Sequence, residues 1–324
     1  MKAVYVKEFG DVENLEIHYV EKPIITKEKQ VLIRVKAAGL NRADILQRKG
    51  FYPAPKGYPE RVLGLEFAGV VVETGSMVSK VEIGNRVFGI TSGGGQAEFV
   101  LVREDQVVKI PENLNFEEAA AIPEVFITAH DAVFTQGNLA KNETLLIHAV
   151  GSGVGLAALQ IAKAAGNKVI GTSRSQDKLD RCFSLGLDTG INTIDSRDFS
   201  CQLKNSVDVV LDLVGAKYFE KNVKSLAFKG RLILVGLVGG KIAEFNMGLA
   251  LAKRLHIIGT NLRSRTLDEK AKAISNFAKN VLPLIEEGKI TPNLDKVFEL
   301  EEIKEAHTYM EKNSNFGKIV VYFN

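Results

Sequence analysis

Residues 144–178 read TLLIHAVGSGVGLAALQIAKAAGNKVIGTSRSQDK, and this stretch decides the fold class. It begins with an apolar run, TLLI, of the kind found in strands that are covered on both faces. Glycines at positions 151, 153 and 155 follow, and they precede a helical segment and a second apolar strand, KVIG. A strand, a glycine-rich turn, a helix and a further strand in this order are typical of a βαβ unit that binds a dinucleotide.

The alternation of strands and helices continues beyond this unit. Apolar segments at GINT, VDVVLDLV, RLILVGLV and HIIGTNL are separated by helical segments such as DKLDRCFSLG and KYFEKNVKSLAF. Apolar strands separated by helices of about ten residues or more indicate a parallel sheet with helices on both faces. We therefore predict an α/β fold with a doubly wound parallel sheet of the Rossmann type.

The remainder of the chain has a different pattern. Short β-branched segments in the first third, among them QVLIRVKAAG and FAGVVVETG, are interrupted by Gly, Asn and Pro at the spacing of a small barrel or distorted sandwich. The C-terminal segments EEIKEAHTYMEKN and GKIVVYFN do not continue the alternation. A chain of 324 residues is expected to form two domains, and we expect its C-terminal segment to return to the first.

Composition and charge argue against several classes of protein. The chain has 42 Lys and Arg against 39 Asp and Glu without a basic run, so nucleic-acid binding is not expected. No apolar run approaches the ~20 residues of a membrane span, and charges at positions 7 and 8 interrupt the N-terminal segment, so we expect a cytoplasmic protein. Cys182 and Cys201 have no C-x-x-C partner and no His at ligand spacing, which argues against a zinc site or a disulfide framework.

The glycine-rich turn is the candidate site for a phosphate group. Glycines allow a tight turn and a close approach of backbone N–H groups, and the positive end of the following helix attracts an anion. The spacing departs from G-x-G-x-x-G because the last position falls on Leu156, and a turn without a ligand stays an alternative. The cofactor-binding residues predicted here are Gly151, Ser152, Gly153, Val154 and Gly155.

The end of the second strand bears on which dinucleotide binds. Sites for NAD usually carry Asp or Glu about 20 residues after the first glycine. This chain has Ser173 and Arg174 there, with Lys178 one helical turn further on. An arginine can bind a phosphate through charge-assisted hydrogen bonds, so these residues favour NADPH. The alternative is that Arg174 is a solvated surface residue.

The whole chain resembles the zinc-independent medium-chain dehydrogenase/reductases, in the quinone oxidoreductase group that includes zeta-crystallin. The resemblance rests on AAGLNRADILQRKGFYPAPKGYP, LGLEFAGVVVETG, EAAAIPEVFITA, IHAVGSGVGLAALQIAK and EAHTYMEKNSNFGKIVV. It implies a GroES-like β-rich catalytic domain at residues 1–122 and 264–324, and a Rossmann NADP-binding domain at residues 123–263. It also implies NADPH as cofactor, a quinone or an activated alkene as hydride acceptor, and a homodimer formed along an edge of the nucleotide-binding sheet.

The resemblance also bears on metal binding and on the catalytic residues. Zinc-dependent relatives carry a ligand Cys in the stretch that here reads GLNRAD and a His-Glu pair where this chain has GLE, and Asn41 and Leu65 cannot replace these soft ligands. We therefore expect no metal. The resemblance places Asn41 and Tyr52 beside the nicotinamide and the substrate, with the Tyr52 phenol as candidate hydrogen-bond donor. The alternative for Tyr52 is packing within its Pro/Gly-rich loop, and Asp44 is expected to hold a turn or cap.

Further positions match segments of the family that line the cofactor. They are Thr128, Leu237, Leu262 and Arg263. Arg263 is a candidate to reach a phosphate, and the alternative is that it is one more exposed arginine. The alternative for Thr128 is a hydrogen bond back to its own helix. A lone histidine on an interior strand is usually a hydrogen-bonded core residue, and this is the role we expect for His148. The chain departs from many members of the family at Ser152, where they have glycine, and at Thr193, where they have a tyrosine close to the 2′-phosphate of the cofactor.

The predicted function is NADPH-dependent reduction of quinones by hydride transfer, without a metal. Two alternatives stay open. One is an enoyl or alkenal reductase on the same scaffold, since a quinone is itself a conjugated enone. The other is a protein that binds NADPH as a sensor without catalysis.

Overall fold

A computed structural model describes residues 1–196 and 198–324. The strands are β1 Lys2–Val6, β2 Leu15–Tyr19, β3 Gln30–Leu40, β4 Glu66–Thr74, β5 Arg86–Ile90, β6 Phe99–Arg103, β7 Val107–Lys109, β8 Thr144–Ile147, β9 Lys168–Ser173, β10 Thr189–Asn192, β11 Val207–Asp212, β12 Leu226–Leu234, β13 His256–Gly259, β14 Leu294–Glu299 and β15 Lys318–Tyr322. The α-helices are α1 Arg42–Arg48, α2 Phe116–Ala120, α3 Pro123–His130, α4 Gly153–Ala164, α5 Gln176–Ser184, α6 Ala216–Ser225, α7 Met247–Lys253, α8 Leu267–Asn280, α9 Leu282–Glu286 and α10 Ile303–Glu311.

The chain forms two compact units. The first unit consists of residues 1–127 and 262–324, and the second consists of residues 128–261. Residues 123–127 and 262–263, which the sequence-based boundaries assign to the nucleotide-binding domain, belong to the first of these compact units. The domain boundaries themselves stay a prediction.

The second unit is built on a six-stranded parallel sheet. Its strand order is β10-β9-β8-β11-β12-β13, and each neighbouring pair runs parallel. Apolar side chains from neighbouring strands, such as Leu146, Ile170 and Val210, are buried together with Phe199. The order places β8 next to β11, so the chain winds outward in both directions from this point. The predicted α/β fold with a doubly wound parallel sheet is confirmed.

The first unit is built on a mixed seven-stranded sheet. Its order is β14-β15-β3-β4-β5-β7, and β6 also pairs with β3. Strand β15 at the C-terminus runs antiparallel to β3, with Ile319 opposite Leu40. The pairing of β3 with β4 shifts register twice, which bends this long strand. The C-terminal segment therefore completes the sheet of the first unit and brings Lys318 beside the end of β3.

Some features of the described residues concern metals and membranes. Cys182 is buried, Cys201 is exposed, and both are free thiols. Across residues 1–196 and 198–324, no group of three or more His, Cys, Asp or Glu side chains is arranged to hold a metal ion. In the same part of the chain, no helix is both long and apolar enough to cross a membrane.

Candidate active site

Helix α1 begins where strand β3 ends, at the predicted catalytic residue Asn41. The backbone of Asn41 is extended, and its N–H donates to the carboxylate of Asp44 at 2.7 Å. The other carboxylate oxygen of Asp44 accepts from the N–H of Gly64 at 3.1 Å. Asp44 is fully buried, and desolvation raises its pKa to about 6 although these hydrogen bonds oppose the shift. The expected capping role of Asp44 is confirmed.

The side-chain amide of Asn41 is held by two charged partners. Its Nδ2 donates to Glu66 Oε1 at 2.7 Å, and its Oδ1 accepts from Lys318 Nζ at 2.9 Å. Lys318 Nζ also donates to Glu66 Oε1 at 2.5 Å and to the carbonyl oxygen of Leu40 at 2.7 Å. These bonds fix which way the amide points. They leave the second Nδ2–H of Asn41 as a donor for a ligand.

Glu66 and Lys318 are site residues that sequence reasoning missed. Glu66 also accepts from the backbone N–H of Glu124 at 2.8 Å through Oε2, so it ties β4 to the start of α3. The signal that could have found both residues is a charge at the start of an apolar strand, as in GLEFAGVV and GKIVV. Such a charge is rarely buried unless it is paired.

Tyr52 and Arg263 form a second part of the site in the first unit. The guanidinium of Arg263 lies over the Tyr52 ring, 4.8 Å from its centre, and Nη1 donates to the backbone oxygen of Tyr52 at 3.0 Å. Arg263 also donates to the Ser92 carbonyl at 2.9 Å and to the side-chain oxygen of Gln47. Burial lowers the pKa of this guanidinium. Arg263 is thus bound within the first unit, and its contact with a phosphate stays a prediction.

A buried lysine completes this part of the site. Lys270 Nζ donates to Ser92 Oγ at 2.6 Å, and the same hydroxyl donates to the backbone oxygen of Arg263 at 2.8 Å. The Lys270 ammonium also lies 5.5 Å from the centre of the Tyr58 ring. Desolvation lowers the pKa of Lys270. Two cations therefore lie over aromatic rings of the loop that carries Tyr52: Arg263 over Tyr52 and Lys270 over Tyr58.

The glycine-rich turn in the second unit has the geometry of a phosphate-binding turn. Ser152, with φ of −81°, caps α4, and its Oγ accepts from the N–H of Gly155 at 3.2 Å. A side chain cannot replace hydrogen at Gly155, since a Cβ there would lie 2.6 Å from the Val150 carbonyl oxygen. In the described part of the chain, the N–H groups of Gly153 and Val154 have no partner. Two first-turn donors of a 12-residue helix therefore fit an anion.

The residues after β9 present an exposed cation. Ser173 is buried and its Oγ accepts from the N–H of Ser175 at 3.1 Å, whereas Arg174 is exposed. Among the described residues, Arg174 has no hydrogen bond or ion pair. Lys178 lies in the first turn of α5, where its N–H donates to Ser175 Oγ at 3.3 Å. Arg174 is therefore available to an anionic ligand.

Thr193 takes part in packing contacts of the second unit. Its hydroxyl donates to the Ser173 carbonyl at 3.3 Å and accepts from the Tyr218 hydroxyl at 3.0 Å. The hydroxyl is thus used within the protein.

His148 belongs to a buried hydrogen-bond network. Its Nε2 lies 2.6 Å from Asn222 Oδ1, and its Nδ1 lies 2.9 Å from the Thr172 hydroxyl. Asn222 in turn donates to Asp212 at 3.0 Å. Since the Asn222 oxygen is an acceptor, Nε2 carries the proton, and desolvation lowers the pKa of the ring. The expected core role of His148 is confirmed.

The remaining predicted cofactor residues lie in different parts of the two units. Thr128 is half-buried in α3, and Leu237 is exposed in the loop after β12 beside Gly215. Leu262 is buried in the first unit next to Arg263. Within the first unit, Arg263 is hydrogen-bonded to Tyr52 and Gln47, and Asn41 is hydrogen-bonded to Asp44 and Glu66. Helix α1 carries both Gln47 and Asp44. Within the second unit it brings the glycine-rich turn next to the end of β9, where Val150 N–H donates to the Thr172 carbonyl at 3.0 Å.

Models of two protein families match the chain. The alcohol dehydrogenase GroES-like domain matches residues 27–112, and the zinc-binding dehydrogenase family matches residues 153–279. Among individual proteins, the quinone oxidoreductase of Mus musculus is 33% identical over 329 residues, which cover 99% of this chain and 97% of the mouse protein. The quinone oxidoreductase-like protein 2 of Bos taurus is 30% identical and covers 93% of this chain and 90% of its own length.

Solved structures of similar proteins cover the whole chain. An NAD-dependent alcohol dehydrogenase has a TM-score of 0.86 at 31% identity, with 100% of both chains covered. The quinone oxidoreductase from Coxiella burnetii has a TM-score of 0.84 at 30% identity, covering 100% of this chain and 99% of its own. The CurK enoyl reductase has a TM-score of 0.86 at 27% identity, and the match covers 100% of this chain and 99% of the reductase chain. The Escherichia coli quinone oxidoreductase complexed with NADPH has 0.88 at 25% identity, with 100% of both chains covered.

These similarities extend over both units and agree with the folds described above. The first family model falls within the mixed sheet, and the second covers most of the doubly wound sheet. The curated relatives are matched over nearly their full length. The chain therefore belongs to the medium-chain dehydrogenase/reductase family of nicotinamide-dependent oxidoreductases, in its quinone oxidoreductase group.

Proposed function

We propose that the protein reduces quinones by hydride transfer from NADPH, without a metal ion. The observation that carries the proposal is the arrangement around Asn41, in a chain of this family. Asn41 stands where zinc-dependent relatives carry a Cys ligand, and its amide is bound by Glu66 and Lys318. Leu65 stands where they carry a His, and its hydrocarbon side chain is buried. These two positions offer none of the soft ligands that zinc takes in such enzymes.

The second unit supports NADPH as the cofactor. Gly155 permits the tight turn, Ser152 caps α4, and the N–H groups of Gly151, Gly153 and Val154 would face the pyrophosphate. The 2′-phosphate would be bound by the Arg174 guanidinium, with Ser173 and Lys178 beside it. NADPH, when bound, supplies the hydride. The proposed contacts of the cofactor with other parts of the chain involve Thr128, Leu237, Leu262 and Arg263.

The first unit supports a role in binding the acceptor. The Arg263 guanidinium lies over the Tyr52 ring and also donates to the Tyr52 backbone oxygen. These two contacts give the phenol a defined position. Its hydroxyl would donate a hydrogen bond to the oxygen of the acceptor, where negative charge develops during reduction. The second Nδ2–H of Asn41 would orient the acceptor or the carboxamide of the cofactor. Both residues would act by positioning and by stabilising charge.

A second candidate function is the reduction of enoyl or alkenal double bonds. Similarity to the CurK enoyl reductase over the whole chain favours it, and a hydride acceptor conjugated to a carbonyl is common to both reactions. A protein that binds NADPH as a sensor without turnover is the third possibility. A panel of a benzoquinone, a naphthoquinone, an alkenal and an acyl thioester, each with NADPH and with NADH, separates the three.

The expected outcome of this panel is saturable NADPH oxidation with a kcat/KM for quinones above that for the alkenal and the thioester. A higher value for the alkenal or the thioester would replace the proposal by the second candidate. NADPH binding without turnover of any acceptor would favour the sensor.

We also propose that two copies of the chain associate along strand β13. This strand is the last of the parallel sheet, and Ile257 is 38% exposed. Nearby α7 exposes Met247 by 75% and Leu251 by 80%, so an apolar surface adjoins an unpaired strand edge. Light scattering is expected to give the mass of a dimer, and Ile257→Lys is expected to give the mass of a monomer. A monomeric parent protein would overturn the proposal.

Domain boundaries at residues 122/123 and 263/264 and a location in the cytoplasm complete the proposal. Limited proteolysis near the first boundary would test the domain division. Fractionation of cells that contain the protein would test the location.

A further inference from the structure

Glu124, in the first turn of α3, carries a carboxyl group that the proposed reaction has not yet used. Its backbone N–H donates to Glu66 Oε2 at 2.8 Å, which fixes the start of the helix. Glu66 Oε1 accepts from Asn41, so Glu66 links the backbone of Glu124 to the predicted catalytic amide. The side chain of Glu124 is half-buried. Among the described residues its carboxyl has no hydrogen bond and no ion pair.

Five charged groups from other parts of the first unit act on this carboxyl. They are Glu66 on β4, Asp44 on α1, Lys318 on β15, Arg263 after β13 and Lys270 on α8. The cations among them are engaged elsewhere: Lys318 by Glu66, Asn41 and Leu40, Arg263 by the backbone of Tyr52 and Ser92, and Lys270 by the Ser92 hydroxyl. The Glu66 carboxylate is the charged group that is hydrogen-bonded directly to Glu124, since it accepts from the Glu124 backbone N–H. Desolvation, reinforced by Glu66 and Asp44, raises the pKa of Glu124 to about 8.

We propose that Glu124 donates the proton that the reduced acceptor takes up. The inference rests on the proposed function. A quinone that has accepted a hydride, with its two electrons, is an anion, and one of its oxygens must gain a proton to become a hydroquinone. The O–H bond of the Glu124 carboxyl breaks, an O–H bond forms at the acceptor oxygen, and the carboxylate regains a proton from water. For an enone the same proton would pass to the enolate.

Three properties suit Glu124 to this step. Its carboxyl holds a proton near neutral pH, as a general acid must. The absence of a partner among the described residues leaves the O–H for a ligand. Half-burial leaves the carboxyl accessible to the water that must reprotonate it. Tyr52 keeps the separate role of donating a hydrogen bond to the acceptor oxygen.

The test compares Glu124→Gln with the parent protein. Glutamine keeps the size of the side chain and the backbone bond to Glu66 but holds no transferable acidic proton. The expected result is a fall of about 10²-fold in kcat/KM for a naphthoquinone, since general acid catalysis contributes about 10²–10⁴-fold. The dissociation constant of NADPH, measured by fluorescence titration, is expected to stay within about twofold of the parent value.

The pH profile distinguishes a proton donor from a residue that only holds the helix. In the parent protein kcat/KM is expected to fall as pH rises through about 8, where the carboxyl ionises. In Glu124→Gln this decrease is expected to be absent. Glu124→Asp, which retains an acid on a shorter side chain, is expected to recover part of the rate and to show the decrease again. Glu112→Gln, a change of an exposed glutamate in the same unit, is the matched control and is expected to behave as the parent.

The outcomes separate this inference from the proposed function. If Glu124→Gln keeps the kcat/KM of the parent protein, and kcat/KM still falls as pH rises, Glu124 is not the proton donor. The proposed quinone reduction is unaffected by that result. Absence of turnover by the parent protein with quinones and enones overturns the proposed function and this role together. Thermal unfolding of each variant confirms that the rates are those of folded protein.

Discussion

Lys318 Nζ and Glu66 Oε1 lie 2.5 Å apart, with side chains 4% and 0% exposed, although 252 positions separate the two residues along the chain. Removing one partner of a buried ion pair leaves an uncompensated charge, which costs about 3–5 kcal/mol. Lys318→Met is therefore expected to lower the free energy of unfolding by about 3–5 kcal/mol, measured by urea denaturation. It is also expected to reduce quinone turnover, because Asn41 loses the partner that orients its amide.

The matched control for this variant is Lys289→Met. Lys289 pairs with Glu287 at 2.6 Å, but the side chains are 64% and 53% exposed. An exposed pair contributes at most about 1 kcal/mol. Equal losses of stability in Lys318→Met and Lys289→Met would contradict the view that the buried pair supports the site.

Tyr52→Phe tests the proposed hydrogen-bond donor. Loss of a donor to developing negative charge reduces kcat by about 10²–10³-fold in other enzymes, so kcat for a naphthoquinone is expected to fall by about 10²-fold. The dissociation constant of NADPH is expected to stay unchanged because the phenol is not proposed to contact the phosphates. Tyr19→Phe, at an exposed position, is the control. A Tyr52→Phe protein with full activity and a lowered melting temperature would show that Tyr52 serves packing.

Arg174→Ala tests the choice between NADPH and NADH. A hydrogen bond to a charged group contributes about 1.5–3 kcal/mol, so the dissociation constant of NADPH is expected to rise by about 10-fold to 100-fold. That of NADH, which lacks the 2′-phosphate, is expected to stay the same. Lys168→Ala, at the other end of β9, controls for a general loss of positive charge. Equal effects of Arg174→Ala on both cofactors would contradict the proposed phosphate contact.

Glu124→Gln also tests a prediction about the pH dependence of folding stability, which does not depend on catalysis. The pKa of Glu124 is raised from 4.5 to about 8 in the folded protein, so between these pH values the folded state holds a proton that the unfolded chain has lost. The stability of the parent protein should therefore fall with rising pH across this window relative to a variant that does not titrate there. The melting temperature of Glu124→Gln minus that of the parent is expected to increase from about pH 5 to about pH 9. A difference that stays constant with pH would show that the Glu124 carboxyl is not perturbed.

Local patterns predicted the strands and helices and the capping role of Asp44, whereas they do not show contacts between residues that are distant in the sequence. Ser152 caps α4 and Asp44 caps α1 through bonds that span three residues, so the sequence near each turn contains the information. The Glu66–Lys318 pair forms only because β15 returns to β3. The guanidinium of Arg263 is bound by acceptors that are distant in the sequence, among them the side chain of Gln47 in α1, 216 positions away. The spacing of apolar residues along the chain does not indicate such contacts.

Glu124 illustrates the same limit. In EAAAIPEVFITA it reads as an acidic residue in the first turn of a helix, which is a common position for one. Its unusual surroundings, with Glu66, Asp44 and Lys318 from three other elements, appear only in the folded chain.

The most direct test of the central claim is steady-state turnover of NADPH with a naphthoquinone by the protein after exhaustive dialysis against a metal chelator. The expected result is saturable NADPH oxidation, with one hydroquinone formed for each NADPH consumed and no change in rate when zinc is restored. A dialysed protein that binds NADPH but does not turn over, or one that regains activity only with zinc, would contradict it.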